Sequence, residues 1–290
     1  MIRMFETVLD VVLDALVPRL LLKERWRASE ASLSKLLESP GSKTSPLLES
    51  RDSVTKPVPI AREGDVNAPP TRRAAGPIGP ALDRESRVLR LRELEQKVSG
   101  CAVCPELVRS RTQPLAGAGN VEASILFVEE APSQEQDSLG LAGVGEASEL
   151  LDKMLKAMGL SRGEVFVVHF LRCRPPQAPG DLKARKATAE ELNACRSHME
   201  ELVRIVQPHA IVAFGAAAAR GLCGTQEPVA RLRSRWHEFM GIPVMPTFHP
   251  SYLIENKDTA SKRKVWEDLM LVMEKVNMPI SPRQRAFFLR

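Results

Sequence analysis

Cys101 and Cys104 form a C-x2-C hook, a spacing that lets two thiolates reach one inorganic centre. Cys173 stands between Arg172 and Arg174, where an apolar run ends and Pro175 and Pro176 follow, and Cys195 sits in the segment ELNACRSH. Four thiolates from a hook, a strand end and a helix suit either an all-cysteine zinc site or an iron–sulfur cluster. A zinc ribbon ordinarily carries a second C-x2-C, and its lack here turns the reading toward the cluster. The competing assignment makes Cys173, Cys195 and Cys223 small buried hydrophobes, the common fate of free cysteine. Cys223, in GLCGT with no partner in register, is assigned to core packing.

Two further residues have the right chemistry for acid–base or electrostatic work: Glu130 in EEAPS and His249 in HPSYL. Arg231, Arg233 and Arg235 alternate with smaller or apolar residues in RLRSRWH, a pattern that can track phosphates or simply form a solvated face.

These residues acquire meaning from the elements that must hold them. Short β-branched and aromatic runs at 123–128, 164–170, 209–215 and 242–248 alternate with segments of helical spacing at 149–160, 188–206, 216–222 and 262–276. Thr188 and Glu191 spell a capping box, and Gly159 a helix stop. The alternation predicts βαβ units and a mostly parallel sheet covered by helices on both faces. Ligands bind such sheets beyond the carboxyl ends of the strands. That rule selects EEAPS (129–133), HFLRCRPP (169–176), FGAAA (214–218) and HPSYL (249–253), which is where the candidate residues lie.

The chain has 290 residues, 43% of them hydrophobic, enough for a sizeable core. Its formal charge of +5 suits a polyanionic partner without requiring one. Five scattered cysteines predict a reducing compartment, hence the cytoplasm. Residues 1–37 have the periodicity of an amphipathic helical segment. Glu6, Asp10 and Asp14 make its polar face acidic and interrupt any membrane span, so docking on the protein body or on a protein partner is expected rather than attachment to a membrane. Residues 38–82 are rich in Pro, Gly and Ser and are predicted to be a disordered linker; 83–280 form the compact domain, and 281–290 a tail.

Taken in order, the segments of the compact domain resemble the iron–sulfur, family 4 branch of the uracil-DNA glycosylase superfamily. The resemblance rests on CAVC (101–104), FVEEAPS (127–133), a G-x-x-x-V-G-x-A stretch (140–147), LRCRPP (171–176), NAC (193–195) and TFHPSYL (247–253). It implies a three-layer α/β/α sandwich around a four-stranded parallel sheet. It also implies a 4Fe-4S cluster on Cys101, Cys104, Cys173 and Cys195, and excision of uracil or a related deaminated base from single- or double-stranded DNA in base excision repair. By the same resemblance His249 stabilises the departing anionic base and Glu130 positions the water. Ala131, Pro132, Gly143, His169 and Ser251 contact the substrate. Arg172, Arg174, Arg233, Arg235 and Tyr252 are assigned to the DNA backbone.

Four positions depart from the family pattern. Glu129 and Ser133 stand where the family has Gly, Gly143 where it has a stacking Phe, and His169 where it has a uracil-reading Asn. They keep open two alternatives: a DNA-binding relative with weakened or no catalysis, and an iron–sulfur redox protein.

Overall fold

The computed structural model describes residues 79–177, 180 and 184–288. The amphipathic segment 1–37 and nearly all of the linker 38–82 lie outside the described residues. The first described helix, α1 (Arg84–Ser99), starts at Asp83, whose side chain accepts the Ser86 amide at 2.7 Å. A short helix α2 (Pro105–Ser110) follows the C-x2-C hook.

The chain then alternates strands and helices: β1 (Ala118–Gly119), β2 (Ile125–Glu129), α3 (Gln134–Leu139), α4 (Glu146–Met158), β3 (Phe166–His169), α5 (Ala189–Val206), β4 (Ala210–Phe214) and α6 (Gly215–Cys223). It continues through α7 (Val229–Leu232), β5 (His237–Phe239), β6 (Ile242–Thr247), α8 (Pro250–Asn256), α9 (Thr259–Lys275) and α10 (Pro282–Arg285). The strands form one sheet in the order β1-β3-β2-β4-β6-β5. Its four inner strands are parallel, as the sequence predicts. Among the described residues the sheet nevertheless has six strands rather than four, because β1 and β5 add antiparallel edges. These edges are two and three residues long, too short to carry a periodic signal.

The inner strands pack on both faces, so their residues alternate between two cores. Leu126, Val128, Phe166, Val168, Ile211, Ala213 and Val244 face one layer, with Leu94 and Val98 of α1 and Met199, Leu202 and Val203 of α5. Ile125, Phe127, Val167, Val212 and Met245 face the other, with Leu151 and Leu155 of α4 and Val265, Leu269 and Val272 of α9. Each fully buried aliphatic contributes about 1.5–3 kcal/mol, which is what holds the strand ends in register. The Thr188 box forms: Thr188 Oγ1 accepts the Glu191 amide at 3.2 Å and Glu191 accepts the Thr188 amide at 2.8 Å. Gly159 closes α4 in the left-handed conformation. Beyond residue 280, α10 docks on the body: Trp266 donates to the Gln284 carbonyl at 2.9 Å, and Phe287 lies 5.7 Å from the Trp266 ring.

Candidate functional site

The sulfur corner lies where α2, α5 and the loop after β3 meet. Cys104 is the N-cap of α2, Cys195 occupies the second turn of α5, and Cys173 follows β3 by four residues. Cys173 and Cys195 are buried, and Cys104 packs against the same core. The thiols affect one another's ionisation: Cys104 is influenced by Cys173 and Cys101, Cys173 by Cys101, and Cys195 by Cys173 and Cys104. Desolvation, the largest influence on each, pushes Cys104 and Cys173 up and Cys195 to about 11. Arg111 donates to Cys173 Sγ at 2.8 Å and to the Cys101 carbonyl at 2.6 Å, tying hook to loop. Arg185 joins Glu191 of α5, at 2.6 and 2.9 Å, to Glu106 of α2 at 3.0 Å. Cys223 lies outside this group; burial alone pushes its thiol up to about 11, as core packing requires.

Arg172 overturns one sequence expectation. It is 1% exposed and points into the protein, so it cannot reach a DNA phosphate. Its Nη1 donates to the Ala116 carbonyl at 2.7 Å, while Nε and Nη2 have no partner among the described residues. Burial lowers its pKa to about 10 against the pull of Cys195 and Cys173. An uncompensated buried cation is costly, and the groups beside it are thiols. A cysteine-bound cluster would carry negative charge at that place, so the donor set and the orphaned guanidinium fit such a group. Among the described residues, no three His, Cys, Asp or Glu side chains are placed to hold a single metal ion. A single tetrahedral ion draws sulfurs to within about 4 Å of one another, since each metal–sulfur bond is about 2.3 Å.

Beside this corner a cleft of about 500 Å³ opens at the carboxyl ends of β2 and β3 and at the start of α8. Ala131, Pro132, His169, Arg174, His249 and Ser251 line it with Glu129 and Glu130. Gly143 does not line it; Val144 and Gly145 form that wall instead. The wall is held by buried Gln136, whose amide donates to the carbonyls of Ala142 at 3.1 Å and Val144 at 3.3 Å. Ser133 is the N-cap of α3, in a capping box with the same Gln136, which gives the Ser a local structural reason.

His249 is the N-cap of α8. Its Nδ1 accepts the Ser251 backbone amide at 3.1 Å and lies 2.7 Å from Ser251 Oγ. A backbone N–H can only donate, so Nδ1 is the acceptor and the ring proton belongs on Nε2. The imidazole therefore offers one N–H from the wall of the cleft.

Glu130 follows β2, and its Oε1 accepts the Ala217 amide at 2.8 Å in the first turn of α6. Gly215, at φ +85°, makes the space: a Cβ there would lie 2.6 Å from Glu130 Oε1. The carboxylate is thus fixed by a helix N-terminus while lining the cleft.

Glu129 is the residue that sequence reasoning passed over as a functional candidate. It ends β2 as His169 ends β3, and the two are register partners in the parallel ladder. His169 Nε2 lies 3.1 Å from Glu129 Oε2, with side-chain exposures of 1% and 2%. Burial, the largest influence, would raise the Glu129 pKa; the hydrogen bond from His169, with attraction from His169, His249 and Arg162, outweighs it and leaves the carboxyl below its usual range.

The remaining DNA-facing candidates separate. Arg233, partly buried, is spent within the protein: it chelates Asp268 at 3.0 and 3.1 Å and donates to the Lys264 carbonyl at 2.7 Å, so its assignment to phosphate is corrected. Arg235 is exposed and lines a shallow groove with Arg231. Tyr252 is 41% exposed and stacks on Phe248 at 4.9 Å, outside the cleft lining. No helix among the described residues is long and apolar enough to cross a membrane.

With this geometry in place, comparison with known proteins is specific. The family model described as the uracil DNA glycosylase superfamily matches residues 116–270. The type-4 uracil-DNA glycosylase of Thermotoga maritima is 35% identical over 178 residues, covering 61% of this chain and 89% of the relative. That of Sulfurisphaera tokodaii is 29% identical over 187 residues, covering 61% and 80%. A type-5 uracil-DNA glycosylase of Pyrobaculum aerophilum is 26% identical over 192 residues, covering 55% and 82%. The cleft at the strand ends falls within the matched residues, and the chain belongs to the uracil DNA glycosylase superfamily.

Proposed function

We propose that this protein is a DNA glycosylase of base excision repair, hydrolysing the N-glycosidic bond of uracil or a related deaminated base swung out of the helix into the 500 Å³ cleft. The observation that carries the reading is the juxtaposition of two groups on one cleft wall: the Nε2–H of His249, fixed by Ser251, and the carboxylate of Glu130, fixed by Ala217. As the C1′–N bond breaks, its electron pair goes to the base, and a donated N–H stabilises the negative charge that develops there. The carboxylate stabilises the oxocarbenium-like sugar, orients water toward C1′ and takes the proton that the water releases. Arg174 at the cleft rim and exposed Arg235 are the side chains assigned to the DNA backbone.

A 4Fe-4S cluster on Cys101, Cys104, Cys173 and Cys195 is part of the reading. When bound it supplies a four-point anchor and a negative charge rather than reaction chemistry. Arg111 and Arg172 supply the donors and positive charge around it, and Arg185 keeps α2 and α5 in place. The assay is abasic-site formation on a uracil-containing oligonucleotide, with His249→Ala and Glu130→Gln in parallel. Strand breakage after alkali with the wild type, lost in both variants, is the expected result. Undiminished cleavage by both variants contradicts the assignment of these groups.

A further inference from the structure

We infer that Glu129 and His169 together form the base-reading element of the cleft, recognising a lactam edge in which a ring N–H adjoins a carbonyl. The inference rests on the glycosylase reading and deepens it. Both residues line the cleft, end neighbouring strands in register and are almost wholly buried. Each keeps one polar atom with no partner among the described residues: Oε1 of Glu129 and Nδ1 of His169. Buried polar atoms are ordinarily satisfied, so two orphans on one pair of residues facing a cleft point to a ligand.

The ligand follows from counting protons. The carboxyl–imidazole pair holds either one exchangeable proton, with net charge −1, or two, with net charge zero. Burial of both side chains favours the neutral count. With two protons, wherever the one between Oε2 and Nε2 sits, Nδ1 carries N–H and Oε1 accepts. The pair then offers one donor, at Nδ1 of His169, and one acceptor, at Oε1 of Glu129. Its complement is an N–H beside a C=O, found on uracil and hypoxanthine and reversed on cytosine and adenine. On this reading the Glu at 129 supplies the acceptor that the His at 169, standing in place of the Asn, does not itself offer. The titratable and charged groups around the pair are His249, Arg162, Glu130, Glu135, Glu146, Glu255 and Arg174.

Glu129→Gln tests this without changing shape. The glutamine carbonyl takes the His169 Nε2–H, its NH2 faces the cleft, and the neutral ring leaves Nδ1 as acceptor, so the pattern reverses. Excision from single-stranded oligonucleotides is measured for uracil, N3-methyluracil and cytosine. Wild type is expected to act on uracil and to lose about 100-fold on N3-methyluracil, which lacks the N–H that Oε1 reads. Glu129→Gln is expected to reduce the uracil-to-cytosine ratio by about 100-fold with its melting temperature preserved. Equal action of the wild type on uracil and N3-methyluracil, or an unchanged ratio in Glu129→Gln, overturns the inference and leaves the glycosylase reading standing. A second readout is independent of catalysis: in 15N-histidine-labelled protein, free uracil is expected to move the His169 ring signals and free N3-methyluracil to leave them in place. Binding of free uracil without any excision retains this inference and removes the glycosylase reading; no response of His169 to free uracil removes the inference.

Discussion

The sulfur corner and the cleft floor each bury charge and each leave polar atoms unpaired, yet they ask for different things. In the corner, Arg172 is a lone cation with Nε and Nη2 orphaned among thiols that desolvation keeps protonated. The proposed cysteine-bound centre, anionic and binding those thiols as thiolates, would balance it. On the floor, Glu129 and His169 already balance one another at 3.1 Å, and what they lack is a neutral partner with complementary hydrogen bonds. Orphaned atoms are thus informative by sign: a net charge calls for a permanent counter-charge, a neutral pair for a ligand that comes and goes.

The largest effect tests the corner. Cys173→Ala should abolish the visible absorption of the anaerobically purified protein and cost about 3–5 kcal/mol in urea denaturation, since it strands the Arg172 charge. Arg172→Leu sharpens the same point: with the positive charge gone, the reduction potential of the bound cluster should move to a more negative value in voltammetry. A visible spectrum retained in Cys173→Ala would remove that thiol from the ligand set.

Next come the two groups on the cleft wall. His249→Ala should lower the single-turnover excision rate by about 10²- to 10³-fold with little change in melting temperature, because the lost N–H acts on the departing base. Glu130 has both a local structural and a chemical duty, which two substitutions separate. Glu130→Gln retains an oxygen for the Ala217 amide and should lose rate alone. Glu130→Ala should also lose about 1 kcal/mol of stability, as removal of a helix cap does. Equal stability of the two variants would show that the contact to α6 contributes nothing.

The smallest effect concerns the surface. Arg235→Ala should weaken DNA binding uniformly across sequences and reduce the salt slope of the affinity by about 1, measured by fluorescence anisotropy. An unchanged slope would leave the exposed face of 231–237 as solvated charge. Arg233 variants belong to stability measurements instead, because that guanidinium is spent on Asp268.

What the sequence made legible was the inner sheet. Parallel strands buried on both faces are written as unbroken apolar runs such as ILFV and FVV, and the capping residue Thr188 stands where its helix begins. The edge strands were not legible, because Ala118–Gly119 is too short for any period. Neither was the direction of an arginine. Arg172 and Arg174 flank the same cysteine, but one is enclosed and the other lines the cleft; Arg233 meets an aspartate 35 residues away. The Glu129–His169 pair eluded a position-by-position reading for a related reason. As separate departures they look like two losses, and their compensation exists only once β2 and β3 lie side by side in register.

The most direct test of the account is uracil excision by anaerobically purified protein on a single-stranded oligonucleotide carrying one uracil, scored as an alkali-labile site. A single break at the uracil is expected, formed about 10²- to 10³-fold more slowly with His249→Ala. An intact oligonucleotide after prolonged incubation with folded, cluster-loaded protein would contradict it.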